Sequence, residues 1–181
     1  MMADELPRLP QFTYRYCRNE LVGGALDPVV PLHFFTAGLE HAFGERCLVD
    51  SGADWSMFPM SWHERLGIGR GELIRAELPA LGFYTSWNYE IWELHEGLPV
   101  TLDQGEPEQL EADPAFRLRG LFSPNLRAPV VGREDFLTCF DIWLDQPRHT
   151  LHVRPYPETL RGDYTQPMWW HRMVAAEAPS E

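Results

Sequence analysis

The chain has no lysine; its 15 basic residues are all arginine. Genome base composition explains that as readily as function does, so no site follows from it. Against 27 acidic residues the arginines leave a formal net charge of −12 and a pI near 4.9. A surface of that sign repels DNA, RNA and anionic lipid at long range, so no nucleic acid and no membrane is expected among the partners. Cysteine is scarce as well. Cys17, Cys47 and Cys139 are odd in number and lack C-x-x-C spacing, which fits free thiols in a reducing compartment and points to a cytoplasmic location. No apolar run of about 18 residues could cross a bilayer. The opening MMADELPRLP lacks a basic segment followed by an apolar one, so secretion is not expected either.

What is present suits one domain rich in strands. The 181 residues allow one ordinary core, and 16 prolines with 14 glycines favour many turns over a helical bundle. Alternating apolar residues at Phe12, Tyr14 and Tyr16, and at Val30, Leu32 and Phe34, read as strands, with Gly23-Gly24 and Asp27-Pro28 as punctuation between them. A third strand spans residues 45–49 and a short one 56–59, followed by helical turns over 61–66 that Gly67 ends. From residue 72 to 102 a long hairpin is expected, broken at Gly82 and again at Gly97 to Pro99. Residues 103–114 form an acidic, solvated loop. Strands resume at 116–122 and 129–131, a short helix is expected over 133–138, and a hairpin from 140–144 and 151–153 closes the domain. Residues 155–181 are an appendage, partly disordered, with Trp169 and Trp170 in one short helix. No internal repeat and no linker divides the chain.

Several apparent motifs fail on spacing. His63-Glu64 would begin an H-E-x-x-H zinc site, but Gly67 stands at the second histidine. GIGRGE at 67–72 lacks the last glycine of a dinucleotide loop and follows a helix. His149 and His152 lie three apart on a strand, which aims them at opposite faces. Neither a metal nor a cofactor is expected from these patterns.

One stretch is different. In CLVDSGADWSMFP, residues 47–59, an apolar strand runs straight into Asp50. A lone Asp-Ser-Gly is most often a surface turn, yet a carboxylate at the end of a buried strand is costly unless something bonds to it. Here Ala53 follows the glycine and strand character returns at Ser56. About eighty residues on stands Val130-Val131-Gly132-Arg133-Glu134-Asp135-Phe136-Leu137.

The two segments together resemble the retropepsin-like aspartic proteases, which pair an apolar strand ending in D-[ST]-G-A with a downstream apolar-apolar-G-R-[DN]-x-L. The resemblance covers residues 12–154 and implies an all-β, retropepsin-like half-barrel with a flap hairpin and one or two short helices. Its implied activity is aspartic endopeptidase. Two aspartates share a proton and hold the water that attacks the peptide carbonyl. With one Asp-Ser-Gly in the chain, the second aspartate must come from another copy, so the implied partners are a homodimer and a peptide or protein substrate. No cofactor and no metal is required.

The implied roles fall on numbered residues. Asp50, Ser51 and Gly52 are catalytic: Asp50 supplies the carboxylate, Ser51 bonds across the two-fold axis, and the Gly52 N–H holds the carboxyl in plane. Ala53, Asp54, Gly82, Phe83, Tyr84 and Trp87 contact substrate, the last four from the flap, whose single glycine and two aromatics make it stiffer than the family's. Asp54 and Arg133 form an ion pair beneath the site. Val131, Phe136 and Leu137 pack under the catalytic turn. Glu134 is an added residue between Gly-Arg and Asp-Phe-Leu, which moves the expected start of the helix on by one. The alternatives are a catalytically silent dimerising and peptide-binding module of this fold, and an unrelated β-barrel binding protein.

Overall fold

In the computed structural model, residues 12–19, 24–36, 38, 40–76, 90–103 and 116–155 are described. The expected flap tip with Gly82, Phe83, Tyr84 and Trp87 lies outside them, as do most of the acidic loop and the appendage from residue 156 on.

The strands are β1 (Phe12–Arg15), β2 (Cys17–Asn19), β3 (Ala25–Asp27), β4 (Val29–Phe35), β5 (His41–Val49), β6 (Met57–Pro59), β7 (Leu73–Arg75), β8 (Trp92–Leu102), β9 (Phe116–Ser123), β10 (Val130–Val131), β11 (Phe140–Asp145) and β12 (Thr150–Pro155), with the one-turn helix α1 (Trp62–Arg65) after β6. The all-β expectation stands. The main sheet runs β4-β5-β10-β6-β9-β8-β7, and an additional β4–β8 pairing closes its first six strands into a ring. The half-barrel anticipated from the sequence is therefore complete within one chain, and its strand edges satisfy each other. Two of its pairings are parallel, β5 with β10 and β6 with β9. A three-stranded sheet, β1-β12-β11, and the hairpin β2-β3 lie outside the ring.

The alternation read from the sequence is the alternation of burial. Val30, Leu32 and Phe34 of β4 are fully buried while Val29, Pro31 and His33 between them are not. Helix α1 lays Trp62 against Phe34, Phe43 and Phe58, with ring centroids 5.0–5.7 Å apart. A second cluster, Phe116, Phe136 and Phe140, fills the side nearer β11. Burying each such ring removes enough apolar surface from water to contribute about 1.5–3 kcal/mol. Gly67, at φ +69°, ends α1 in the left-handed conformation that glycine takes without a Cβ clash.

Three local expectations need correction. Strand β8 runs through Gly97 to Pro99 without ending; Gly97 sits at φ +70° and the pairing with β9 slips between Leu94 and Leu98, so the glycine makes a bulge where a break was read. Residues 133–138 form successive turns and no helix. Leu137 N–H donates to Gly132 O and Cys139 N–H to Phe136 O, so the four-residue spacing of an α-helix is missed on both sides. The hairpin β2-β3 was read as punctuation, because strands of three residues are too short to show a period.

Candidate active site

The end of β5 is held from two sides. Val49 N–H donates to Pro28 O and Leu48 N–H to Pro129 O, both at 2.9 Å, and Asp50 N–H donates to Val131 O at 3.1 Å. The strand thus delivers Asp50 to a fixed place and then turns, with Ala53 N–H closing onto Asp50 O at 3.1 Å. Gly52 N–H donates to Asp50 Oδ1 at 2.8 Å. A side chain at residue 52 would put its Cβ 3.1 Å from that same oxygen, so the carboxylate would have to give by a few tenths of an ångström. Asp50 is half-buried, Ser51 and Gly52 are exposed, and Ala53 is buried beneath them.

A second loop lies against the first. Arg133 N–H donates to Ala53 O at 2.9 Å and Glu134 N–H to Asp54 O at 2.7 Å. Gly132 allows this approach: a Cβ there would sit 2.4 Å from the carbonyl carbon of Trp55, inside the backbone itself. The structure brings the side chains of Asp54 and Arg133 together, with Arg133 Nη2 2.5 Å from Asp54 Oδ1. Arg133 Nε also meets Glu134 Oε1 at 3.1 Å, so the added residue supplies a second carboxylate to the same guanidinium and does not turn it away. The arginine side chain remains 55% exposed and the Asp54 side chain 33%, so in the single chain this is a surface pair. Val131 and Phe136 are fully buried below the turn, and Leu137 is half-buried against the same core.

The solved structure of a retropepsin-like aspartic protease from Rickettsia conorii is similar to this chain at a TM-score of 0.48 and 14% identity, over 80% of this chain and 92% of that one. No protein family and no curated protein matches the chain.

Asp135 and Ser56 are the polar centre of the site, and reasoning from the sequence did not single them out. Asp135 is fully buried and accepts hydrogen bonds from Ser56 N at 3.1 Å, Ser56 Oγ at 2.8 Å, Phe136 N at 2.8 Å and Arg119 N at 3.0 Å. Ser56 Oγ in turn accepts from Gly132 N at 3.0 Å. One carboxylate therefore ties together the exit of the Asp50 turn, the loop that carries Arg133, and strand β9. Burial outweighs these bonds and pushes its pKa up to about 6. Arg119 is anchored by a two-pronged contact with Glu93, at 2.6 and 3.0 Å, and its guanidinium lies 4.4 Å from the Trp55 ring centroid. The available signal was an aspartate set between apolar runs, Val130-Val131 before it and Phe136-Leu137 after it.

Among the described residues no group of three or more histidine, cysteine, aspartate or glutamate side chains converges to hold a metal ion, and no helix is long and apolar enough to cross a membrane. The three cysteines are free; Cys47 is buried and its thiol is pushed well up by that burial, which keeps it unreactive.

Proposed function

We propose that the chain is one subunit of a homodimeric aspartic endopeptidase of retropepsin-like type, hydrolysing peptide bonds with a water activated between the Asp50 side chains of two copies. The observation that carries this reading is the Asp50 turn: a half-buried carboxylate at a strand end, oriented by one backbone N–H, on a surface otherwise made of exposed Ser51 and Gly52. Such a carboxylate keeps its second oxygen for an outside group. Of two aspartates facing each other across a two-fold axis, one stays ionised and the other holds the shared proton. The ionised one removes a proton from the water as its oxygen attacks the carbonyl carbon, and the protonated one donates to the carbonyl oxygen that gains charge.

The remaining roles are those the resemblance implies. Gly52 N–H fixes the plane of the carboxyl, and Ser51 bonds to the opposite subunit. Asp54 and Ala53 line the path of the substrate backbone, joined by the flap residues Gly82, Phe83, Tyr84 and Trp87, while Arg133 steadies Asp54. The location proposed for this activity is the cytoplasm.

The test is incubation of the chain with unfolded protein between about pH 4 and 7, comparing wild type with Asp50→Asn and reading new termini by mass spectrometry. Cleavage by wild type alone supports the peptidase. Equal cleavage by both sinks the mechanism. A dimer that captures peptides without cutting them would point to the silent binding module.

A further inference from the structure

Away from the Asp50 turn, on the outer face of β4 and β5, two histidines are built against each other. His33 Nδ1 and His41 Nε2 stand 3.0 Å apart, with ring centroids at 5.0 Å and planes inclined at 61°. His33 Nε2 lies 3.5 Å from Asp103 Oδ1. The cross-strand partner of His33 is Gly44, in the interior of a nine-residue strand, where glycine is unfavourable. A Cβ at Gly44 would sit 3.1 Å from both Cε1 and Nδ1 of His33. The missing side chain is the space in which the imidazole lies, with its Nδ1 turned along the sheet toward His41.

We propose that His33 and His41 chelate one borderline divalent cation of the zinc class, with Asp103 orienting His33. Two imidazole nitrogens on a tetrahedral zinc, each bonded at about 2.0–2.1 Å, are separated by about 3.3 Å, so the 3.0 Å hydrogen bond between the rings has to open and each ring has to turn its lone pair off the line between them toward the ion. The proton accounting is closed within the pair. His33 keeps its proton on Nε2, toward Asp103, which leaves the Nδ1 lone pair for the metal. His41 moves its proton from Nε2 to Nδ1, which frees the second lone pair, and no proton is lost. A carboxylate behind a ligating histidine is the usual device for setting tautomer and ring angle. His41 is exposed, so the ion enters from solvent and water completes its coordination. Imidazole donors favour zinc, nickel and copper over calcium and magnesium.

The site is independent of the proposed peptidase, and its test needs no activity. The full-length chain is titrated with zinc chloride while histidine ring nitrogens are followed by NMR. One equivalent should shift His33 Nδ1 and His41 Nε2 together, and magnesium chloride at equal concentration should shift neither. His41→Gln and His33→Gln should each weaken zinc binding by at least about tenfold, and Asp103→Asn by about tenfold through loss of orientation. Should His33→Gln fail to fold, the exposed position of His41 leaves His41→Gln to decide. Wild type that takes up no zinc overturns the proposal. So does His41→Gln that binds as tightly as wild type, since the ligands would then be other histidines or cysteines of the chain.

Discussion

Asp50 and Asp135 sit in two loops that touch, and the molecule treats them in opposite ways. Asp50 is half-buried at an open turn and, among the described residues, accepts one hydrogen bond, from Gly52 N. Asp135 is fully buried and accepts from four donors on three segments of chain. A carboxylate has two oxygens and about four acceptor positions. Asp135 uses its capacity on the protein itself and serves as a structural joint. Asp50 has most of its capacity left over by the described residues, as the reacting group proposed above would need. Two residues of one type, in neighbouring turns, thus differ in the number of donors that the described residues give each of them.

The largest effect that would sharpen this division is on rate. Asp50→Asn keeps the size and the bond from Gly52, so stability should move by less than about 0.5 kcal/mol, while peptidase activity should fall by about 10²–10⁴-fold or more with loss of the general base. Chemical denaturation and the cleavage assay together check both halves. A variant that unfolds would place Asp50 on the structural side.

Next comes the contact between the loops. Gly132→Ala drives a Cβ into the Trp55 backbone at 2.4 Å, which neither side can yield by rotamer change. Overpacking of this kind costs about 1–3 kcal/mol, and a backbone collision falls at or beyond the upper end. Gly71→Ala, where a Cβ would meet nothing within 4 Å, is the control and should leave the melting temperature unchanged.

Titration of Asp135 is the third comparison. Its folded-state pKa of about 6 lies above the ordinary 3.8, so between these values the native chain holds a proton that the unfolded chain releases. Folding is therefore strengthened as pH falls through 6, with the gain complete below 3.8, on the order of 3 kcal/mol in total. Asp135→Asn removes this contribution. Urea midpoints of wild type and variant, measured at pH 7 and pH 4.5, should differ in their pH response; parallel responses would show that the four hydrogen bonds fully offset burial.

The smallest effect belongs to Arg133. Its pair with Asp54 is largely open to solvent in the single chain, so Arg133→Ala should cost under about 1 kcal/mol in monomer stability. Any larger loss should appear in the affinity of the proposed dimer, and sedimentation of wild type, Arg133→Ala and Arg133→Lys separates the two. Lysine keeps the charge but cannot reach Asp54 and Glu134 at once as the guanidinium does.

Much of this was legible in the order of residues. Period-two alternation over β1 and β4 requires one buried face, and that is enough to specify strands. Gly52 of the Asp-Ser-Gly segment was legible as a close-approach position, whereas only the structure shows that Gly132 is one, with a Cβ there meeting the Trp55 backbone at 2.4 Å. The ends of elements were less legible where a local signal has two meanings: Gly97 reads as a break or as a bulge, and only pairing with β9 selects the bulge. The run from Arg133 to Thr138 has the composition of a helix, but a helix there would draw Asp135 out of its socket of donors.

What the sequence by itself determined is local. It specified which segments extend and which residues face inward. Tertiary structure decided everything that depends on segments far apart in the chain. The closure of the ring by β4 and β8, the burial of Asp135 against Ser56 and Arg119, and the meeting of His33 with His41 over Gly44 are of this kind. The physical reason is that a hydrogen bond or a desolvated charge gains its value from the groups around it, and those groups are named only when the strands have found their partners.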